Sequence, residues 1–101
     1  MPRLDVYAMP AKGGPGYVLD VQAELLSALV TRTVVPLLPV SSAPKPINEL
    51  NPVFEIQGEQ YVMIPQAIAS IPTRELKQPI TSLAAFHDTV TRALDILLTG
   101  Y

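Results

Sequence analysis

From Arg3 to Ala8 apolar and polar positions alternate, with Leu4, Val6 and Ala8 on one side and Arg3, Asp5 and Tyr7 on the other. This period of two predicts a half-buried strand. Tyr17–Gln22 resumes the alternation, Tyr17, Leu19 and Val21 opposing Val18, Asp20 and Gln22. The turn formers Pro10-Ala11-Lys12-Gly13-Gly14-Pro15-Gly16 lie between them, so the two segments read as a hairpin with an exposed loop. Ala23–Leu29 has no β-branched residue and is too short for an independent helix. It predicts a short helical turn or bend, whose leucines need somewhere to pack.

Thr33–Pro39 is apolar on both sides, as in a strand covered on both faces. Pro36 and Pro39 lack ladder donors, which implies a bent strand with a bulge or an edge. Val40–Pro46 reads as an ordered surface loop. Val53–Ile56 and Gln60–Ile64 flank Gln57-Gly58-Glu59, where Gly58 supplies the positive φ of a tight turn, giving a second hairpin. Ala67–Ile71 forms one more short strand ended by Pro72, and Pro79 closes the connection that follows. Thr81 or Ser82 then caps a helix whose apolar residues Leu83, Phe86, Val90, Ala93, Leu94 and Leu97 recur at steps of three and four. Gly100 stops it. The expected fold is mostly β with one C-terminal α-helix: five to six antiparallel strands, since the connections are mostly too short for crossovers.

With 101 residues, the chain reads as one domain over residues 1–101. Apolar residues make up 49% and charged ones 16%, an excess that predicts an ordered chain and points to a surface buried by self-association, a homodimer or other homo-oligomer. The net charge is −2, and the seven Lys and Arg are scattered rather than gathered in a stripe. Direct nucleic-acid binding is therefore disfavoured, because phosphate contacts need concentrated positive charge. The absence of cysteine removes disulfides and thiolate metal sites and fits a reducing compartment, with the cytoplasm as the default. The first residues lack the apolar run of a signal peptide, and no segment reads as a membrane span.

Catalytic chemistry finds little support. The lone histidine, His87, falls inside the expected helix with no carboxylate at helical spacing, and reads as a solvated surface residue. Asp20 and Glu24 read as exposed solubilising charges rather than a carboxylate pair. Gly13-Gly14 lies in a hairpin, without the helix N-terminus of a phosphate site. Metal-ligand spacings and an activated serine elbow are missing, so neither a catalytic residue nor a cofactor is expected. Leu97 and Leu98 are adjacent and cannot both point inward, which leaves one of them to face a partner.

Several short motifs in order resemble the CcdB toxins: Tyr17-Val18-Leu19-Asp20-Val21-Gln22, Val34-Val35-Pro36-Leu37, Leu50-Asn51-Pro52-Val53-Phe54, Ala69-Ser70-Ile71-Pro72, and a helix ending in glycine and a large apolar residue. The resemblance runs from the first strand to the last residue. It implies an SH3-like barrel with a C-terminal helix, acting as a two-fold homodimer, and a toxin of a type II toxin–antitoxin pair that is not an enzyme. Such toxins poison DNA gyrase by inserting between its A subunits while the DNA is cleaved. A cognate antitoxin neutralises them by folding a flexible segment over the toxin, and the complex represses its own operon through the antitoxin's DNA-binding domain.

The family's gyrase contacts centre on its last three residues, usually tryptophan, glycine and isoleucine. Here they are Thr99, Gly100 and Tyr101. Gly100 matches; Thr99 has no ring to stack on a gyrase arginine, and Tyr101 offers one two residues later. The resemblance carries the rest of this surface to Ala23, Leu25, Asp88 and Leu98, with Leu25 equally readable as core. For the antitoxin it points to the loops Pro10–Pro15 and Val40–Glu49, through Pro10, Lys12, Gly13, Ser42, Lys45 and Asn48, together with part of the helix. Two alternatives stand beside the gyrase poison. One is a homologue that keeps dimerisation and antitoxin binding without toxicity, which Thr99 favours. The other is a messenger-RNA endonuclease of the MazF and Kid type on the same barrel, which needs basic and acid–base residues around an RNA groove.

Overall fold

The computed structural model describes residues 3–9, 16–26 and 28–100. Among the described residues seven strands, β1 (Asp5–Ala8), β2 (Tyr17–Asp20), β3 (Thr31–Pro39), β4 (Val53–Ile56), β5 (Glu59–Met63), β6 (Ala69–Pro72) and β7 (Pro79–Ser82), precede one helix, α1 (His87–Thr99). They form one curled antiparallel sheet in the order β4-β5-β3-β2-β1-β7, with β6 paired to β3 beside β5. The expected mostly-β class, antiparallel pairing and single C-terminal helix all hold. The path of six strands matches the expected count, and β6 adds a seventh.

The long strand β3 organises the sheet. Val34–Leu37 pairs with β2, while on its other edge Thr31–Val34 pairs with β6 and Leu37–Pro39 with β5. Of the bulge or edge that its prolines implied, the edge is excluded, because β3 is central. Pro36 is tolerated because its carbonyl faces the β5 side, accepting a hydrogen bond from Ile64 N at 3.0 Å. Its missing N–H falls on that same side, where the 3-10 turn Pro65–Ala67 already interrupts the ladder between β5 and β6.

Both faces of the central strands are covered. Leu4, Val6, Leu19, Val35, Leu37 and Met63 pack with Val90 and Ala93 of α1, while Tyr7, Val18 and Val34 pack on the opposite face under Leu76. The half-buried reading of the first strand is corrected accordingly: Asp5, Val6 and Tyr7 are all buried, and only Ala8 is exposed. The strand also starts later than its alternation suggests. Leu4 has φ 71°, off the extended backbone, where its N–H donates to Asp20 O at 2.7 Å and its carbonyl accepts from Leu83 N at 2.8 Å.

The β4–β5 hairpin closes through Gln57 (φ 51°) and Gly58 (φ 85°), two consecutive left-handed residues as a two-residue primed turn requires. The stretch ended by Pro79 is not a plain connection, because Pro79–Ser82 pairs with β1 as β7. That pairing takes Thr81 and Ser82 out of the helix, so α1 starts at His87 after the 3-10 turn Ala84–Phe86. Neither Thr81 nor Ser82 caps α1; Ser82 Oγ accepts from Ala84 N at 3.1 Å just ahead of that turn. Phe86 is half exposed and leans on Phe54 with ring centroids 5.4 Å apart. Gly100 ends α1 at φ 81°, its N–H donating to Ile96 O at 3.0 Å.

Candidate functional site

Between β2 and β3 the chain leaves the sheet and returns, carrying a 3-10 turn at Glu24–Leu26. The leucines of this excursion, which needed somewhere to pack, are not covered by the sheet. Leu25 is 92% exposed and Val30 82%, and Leu26 and Leu29 are about half exposed. Four large apolar side chains on one short excursion thus form a knuckle that faces solvent. Of the two readings of Leu25, core and contact, the core reading is excluded.

The knuckle stands on a buried polar base. Asp20 and Arg32 are both fully buried, and Asp20 Oδ2 accepts from Arg32 Nε at 2.9 Å and Nη2 at 2.6 Å. Asp20 Oδ1 accepts from the backbone N of Gln22 at 3.1 Å. Gln22, also buried, donates from Nε2 to Leu26 O and accepts at Oε1 from Thr33 N, each at 2.9 Å. At the far end, Thr73 N donates to Val30 O at 2.8 Å and Thr73 Oγ1 to Leu29 O at 3.2 Å. Both ends of the excursion are thus tied to the sheet.

This overturns the reading of Asp20 as an exposed solubilising charge. Asp20 faces the same side of the sheet as Val18 and Val34, and only the pairing of β2 with β3 brings Arg32 to it. Asp5 lies opposite Asp20 on β1, buried as well. Burial, followed by the negative charge of Asp20, raises the Asp5 carboxyl above its ordinary pKa. Sequence reasoning missed Arg32 and Gln22 as parts of a site. The available signal was two opposite charges twelve residues apart on segments that pair, but the pairing register had to be known first.

The other expected gyrase-contact residues spread along α1. Ala23 and Asp88 are exposed near its start, where Arg3, Ala23, Glu24, Ala84 and His87 line a shallow cleft. Leu98 is 72% exposed at its end, while Leu97 is half-buried. Ten residues of helix put Asp88 and Leu98 about 15 Å apart, so one chain presents two patches rather than one. Thr99 is exposed, and its Oγ1 folds back to donate to Asp95 O at 2.6 Å. Gly100 is exposed beside it, and Tyr101 lies outside the described residues.

Of the antitoxin-contact residues, Pro10, Lys12 and Gly13 also lie outside the described residues, and Ser42, Lys45 and Asn48 are exposed on the segment after β3. That segment is anchored by buried Asn51, whose Oδ1 accepts from Ile47 N at 2.9 Å while Nδ2 donates to Met63 O at 3.0 Å and Gln66 Oε1 at 2.9 Å. Arg92 of α1 holds it from outside through Glu49, Nε to Oε2 at 2.8 Å. His87 is exposed as expected, with Nδ1 3.4 Å from the adjacent Asp88 carboxylate. Among the described residues, no group of three or more metal-ligating side chains comes together and no helix is long and apolar enough to cross a membrane.

The fold is a curled antiparallel half-barrel of the SH3-like type closed by one helix, with Asp20 and Arg32 paired inside it and Leu25, Val30 and Leu98 exposed on it. Two solved structures share the fold at 16% sequence identity. One is the Mycobacterium tuberculosis toxin MazF-mt6, at TM-score 0.73 over 90% of this chain and 92% of that one. The other is a mycobacterial endoribonuclease in complex with its cognate antitoxin, at TM-score 0.77 over 97% and 95%. None of the curated proteins matches the chain in sequence. The family model of the CcdB protein matches residues 3–100, and the chain belongs to the CcdB family, toxins of toxin–antitoxin systems.

Proposed function

We propose that this toxin is a non-catalytic poison that grips the A subunit of DNA gyrase and traps the enzyme on cleaved DNA, acting as a two-fold homodimer in the bacterial cytoplasm. A cognate antitoxin neutralises it and represses the shared operon with it. The reading rests on family membership combined with one observation: Leu25, 92% exposed, tops an apolar knuckle at a position the family uses for gyrase. Leu98, 72% exposed at the end of α1, supplies the second patch. Twofold symmetry doubles both patches, which suits a target that is itself paired. The antitoxin reading draws support from the solved relative in complex with its cognate antitoxin, and assigns Ser42, Lys45 and Asn48 to that contact.

A second reading, RNA cleavage, is favoured by the fold shared with an endoribonuclease. Against it, Arg32 is fully buried against Asp20 and out of reach of phosphate, and the lone histidine is solvent-exposed beside Asp88, in a shallow cleft shared with Arg3 and Glu24, without a buried partner to orient it. A third, a homologue that dimerises and binds antitoxin without poisoning, is favoured by Thr99, whose hydroxyl is turned back onto the helix. Purified protein incubated with gyrase and supercoiled DNA, and separately with RNA, separates the three. Trapped double-strand breaks with intact RNA are expected. RNA fragments without gyrase breaks establish the second reading, and neither product establishes the third.

A further inference from the structure

We infer that Gln22, seated on the Asp20–Arg32 pair, is the positioning residue of the docking knuckle: its side-chain amide fixes where Leu25 and its neighbours stand relative to the sheet. The inference rests on the gyrase reading above. Its basis is the way Gln22 replaces main chain. The β2–β3 ladder continues past Asp20 to Val21, whose N–H donates to Thr33 O at 3.0 Å. Thr33 N–H then needs an acceptor just where the chain turns away, and Gln22 Oε1 supplies it at 2.9 Å. The same amide donates from Nε2 to Leu26 O at 2.9 Å, and that carbonyl also accepts from Leu29 N at 3.1 Å. One planar group thus spans the gap between β3 and the knuckle, and both lone pairs of the Leu26 carbonyl are used.

Burial makes this arrangement specific. Gln22 is 7% exposed, so water cannot take over either bond at low cost. Its backbone is held too, because Asp20 Oδ1 accepts the Gln22 N–H while Asp20 Oδ2 is engaged by Arg32. The order of constraint runs from the ion pair to the Gln22 backbone, from its amide to Leu26, and outward to the exposed side chains of Leu25 and Val30. Thr73 tethers the opposite end at Leu29 and Val30. An exposed apolar loop held this way loses little conformational entropy on docking, which is the use of preorganisation.

The test measures gyrase A-subunit binding by the full-length protein and four variants, alongside thermal unfolding and amide hydrogen exchange. Gln22→Met keeps the length of the side chain and removes both amide bonds; it is expected to weaken binding by roughly tenfold and speed exchange at Leu29 and Thr33. Thr73→Val, at the outer tether, is expected to weaken it by about threefold with the fold intact. Ile56→Val, a core truncation on β4 at the far edge of the sheet, lowers stability but is expected to leave affinity within about twofold. Leu25→Asp removes the contact itself. If Leu25→Asp loses binding while Gln22→Met and Thr73→Val retain it, or if Ile56→Val costs as much as Gln22→Met, the positioning role is overturned and the gyrase reading stands. If Leu25→Asp binds as tightly as the parent, the docking surface is wrong and the positioning role falls with it.

Discussion

Asp20 and Arg32 meet inside the protein at 2.6 Å, each side chain wholly withdrawn from solvent, and Asp20 also holds the backbone of Gln22 at the root of the segment that carries exposed Leu25. Removing two charges from water is costly, and their attraction offsets that cost only while both are present. Arg32→Met is therefore expected to destabilise the fold by about 3–5 kcal/mol, because it leaves a buried carboxylate without its cation. The double variant Asp20→Asn/Arg32→Met should recover part of the loss. Urea unfolding of the two singles and the double measures the coupling, and additive effects would show that the pair does not act as a unit.

Asp5 gives the fold a pH dependence of definite sign. Burial, and next the Asp20 charge, raise its pKa in the folded protein above the ordinary 3.8. The folded state thus holds the proton more tightly than the unfolded chain, and this contribution to stability falls as pH rises from about 4 through the raised value. Asp5→Asn is expected to unfold at higher temperature than the parent at pH 7, with the advantage disappearing below pH 4. Thermal midpoints across that range check it; an advantage independent of pH would assign the gain to something other than titration.

Leu25 projects into solvent, so its loss should separate folding from function. Leu25→Asp is expected to leave unfolding free energy within about 0.5 kcal/mol of the parent while abolishing growth inhibition on induction. A variant that remains toxic would remove the knuckle from the gyrase contact.

On the proposed gyrase reading, Thr99 leaves the end of α1 without the aromatic ring that the resemblance implies for this contact. An aromatic–guanidinium contact is worth roughly 0.5–2 kcal/mol, so Thr99→Trp should tighten gyrase A binding by up to about thirtyfold. Tyr101→Ala should abolish binding if Tyr101 supplies the ring instead. Titration calorimetry reads both, and an unchanged affinity in Tyr101→Ala rules out the substitute ring.

Asn51 carries three side-chain hydrogen bonds to backbone and side-chain partners on both sides of its loop. Asn51→Ala strands buried polar groups and should cost about 1–3 kcal/mol. It should also release the segment bearing Ser42, Lys45 and Asn48, seen as faster amide exchange at Ile47. Retained protection there would place the anchor elsewhere, such as the Arg92–Glu49 pair.

Much of the fold was legible residue by residue. The Gln57-Gly58 turn announces itself because positive φ is a local demand, and Gly100 stops α1 for the same reason. The alternation in Tyr17–Gln22 and the apolar run Thr33–Pro39 declared β2 and β3. By contrast, β7 was hidden. Pro79–Ser82 is exposed at every side chain, so it carries no pattern, and only its backbone pairing with β1 makes it a strand. The start of α1 shifted because that pairing claimed Thr81 and Ser82.

The site divided along the same line. Leu25, Leu98 and Gly100 could be pointed to from motif resemblance, and all three are exposed. The base beneath them could not be seen, because Asp20, Gln22 and Arg32 are ordinary polar residues until β2 and β3 are placed in register. The linear chain determined class, strand pattern and helix stop, all of which depend on neighbours within a few positions. Tertiary structure alone decided which charges are buried and which leucines are left outside, because burial is a property of elements distant in sequence closing over one another.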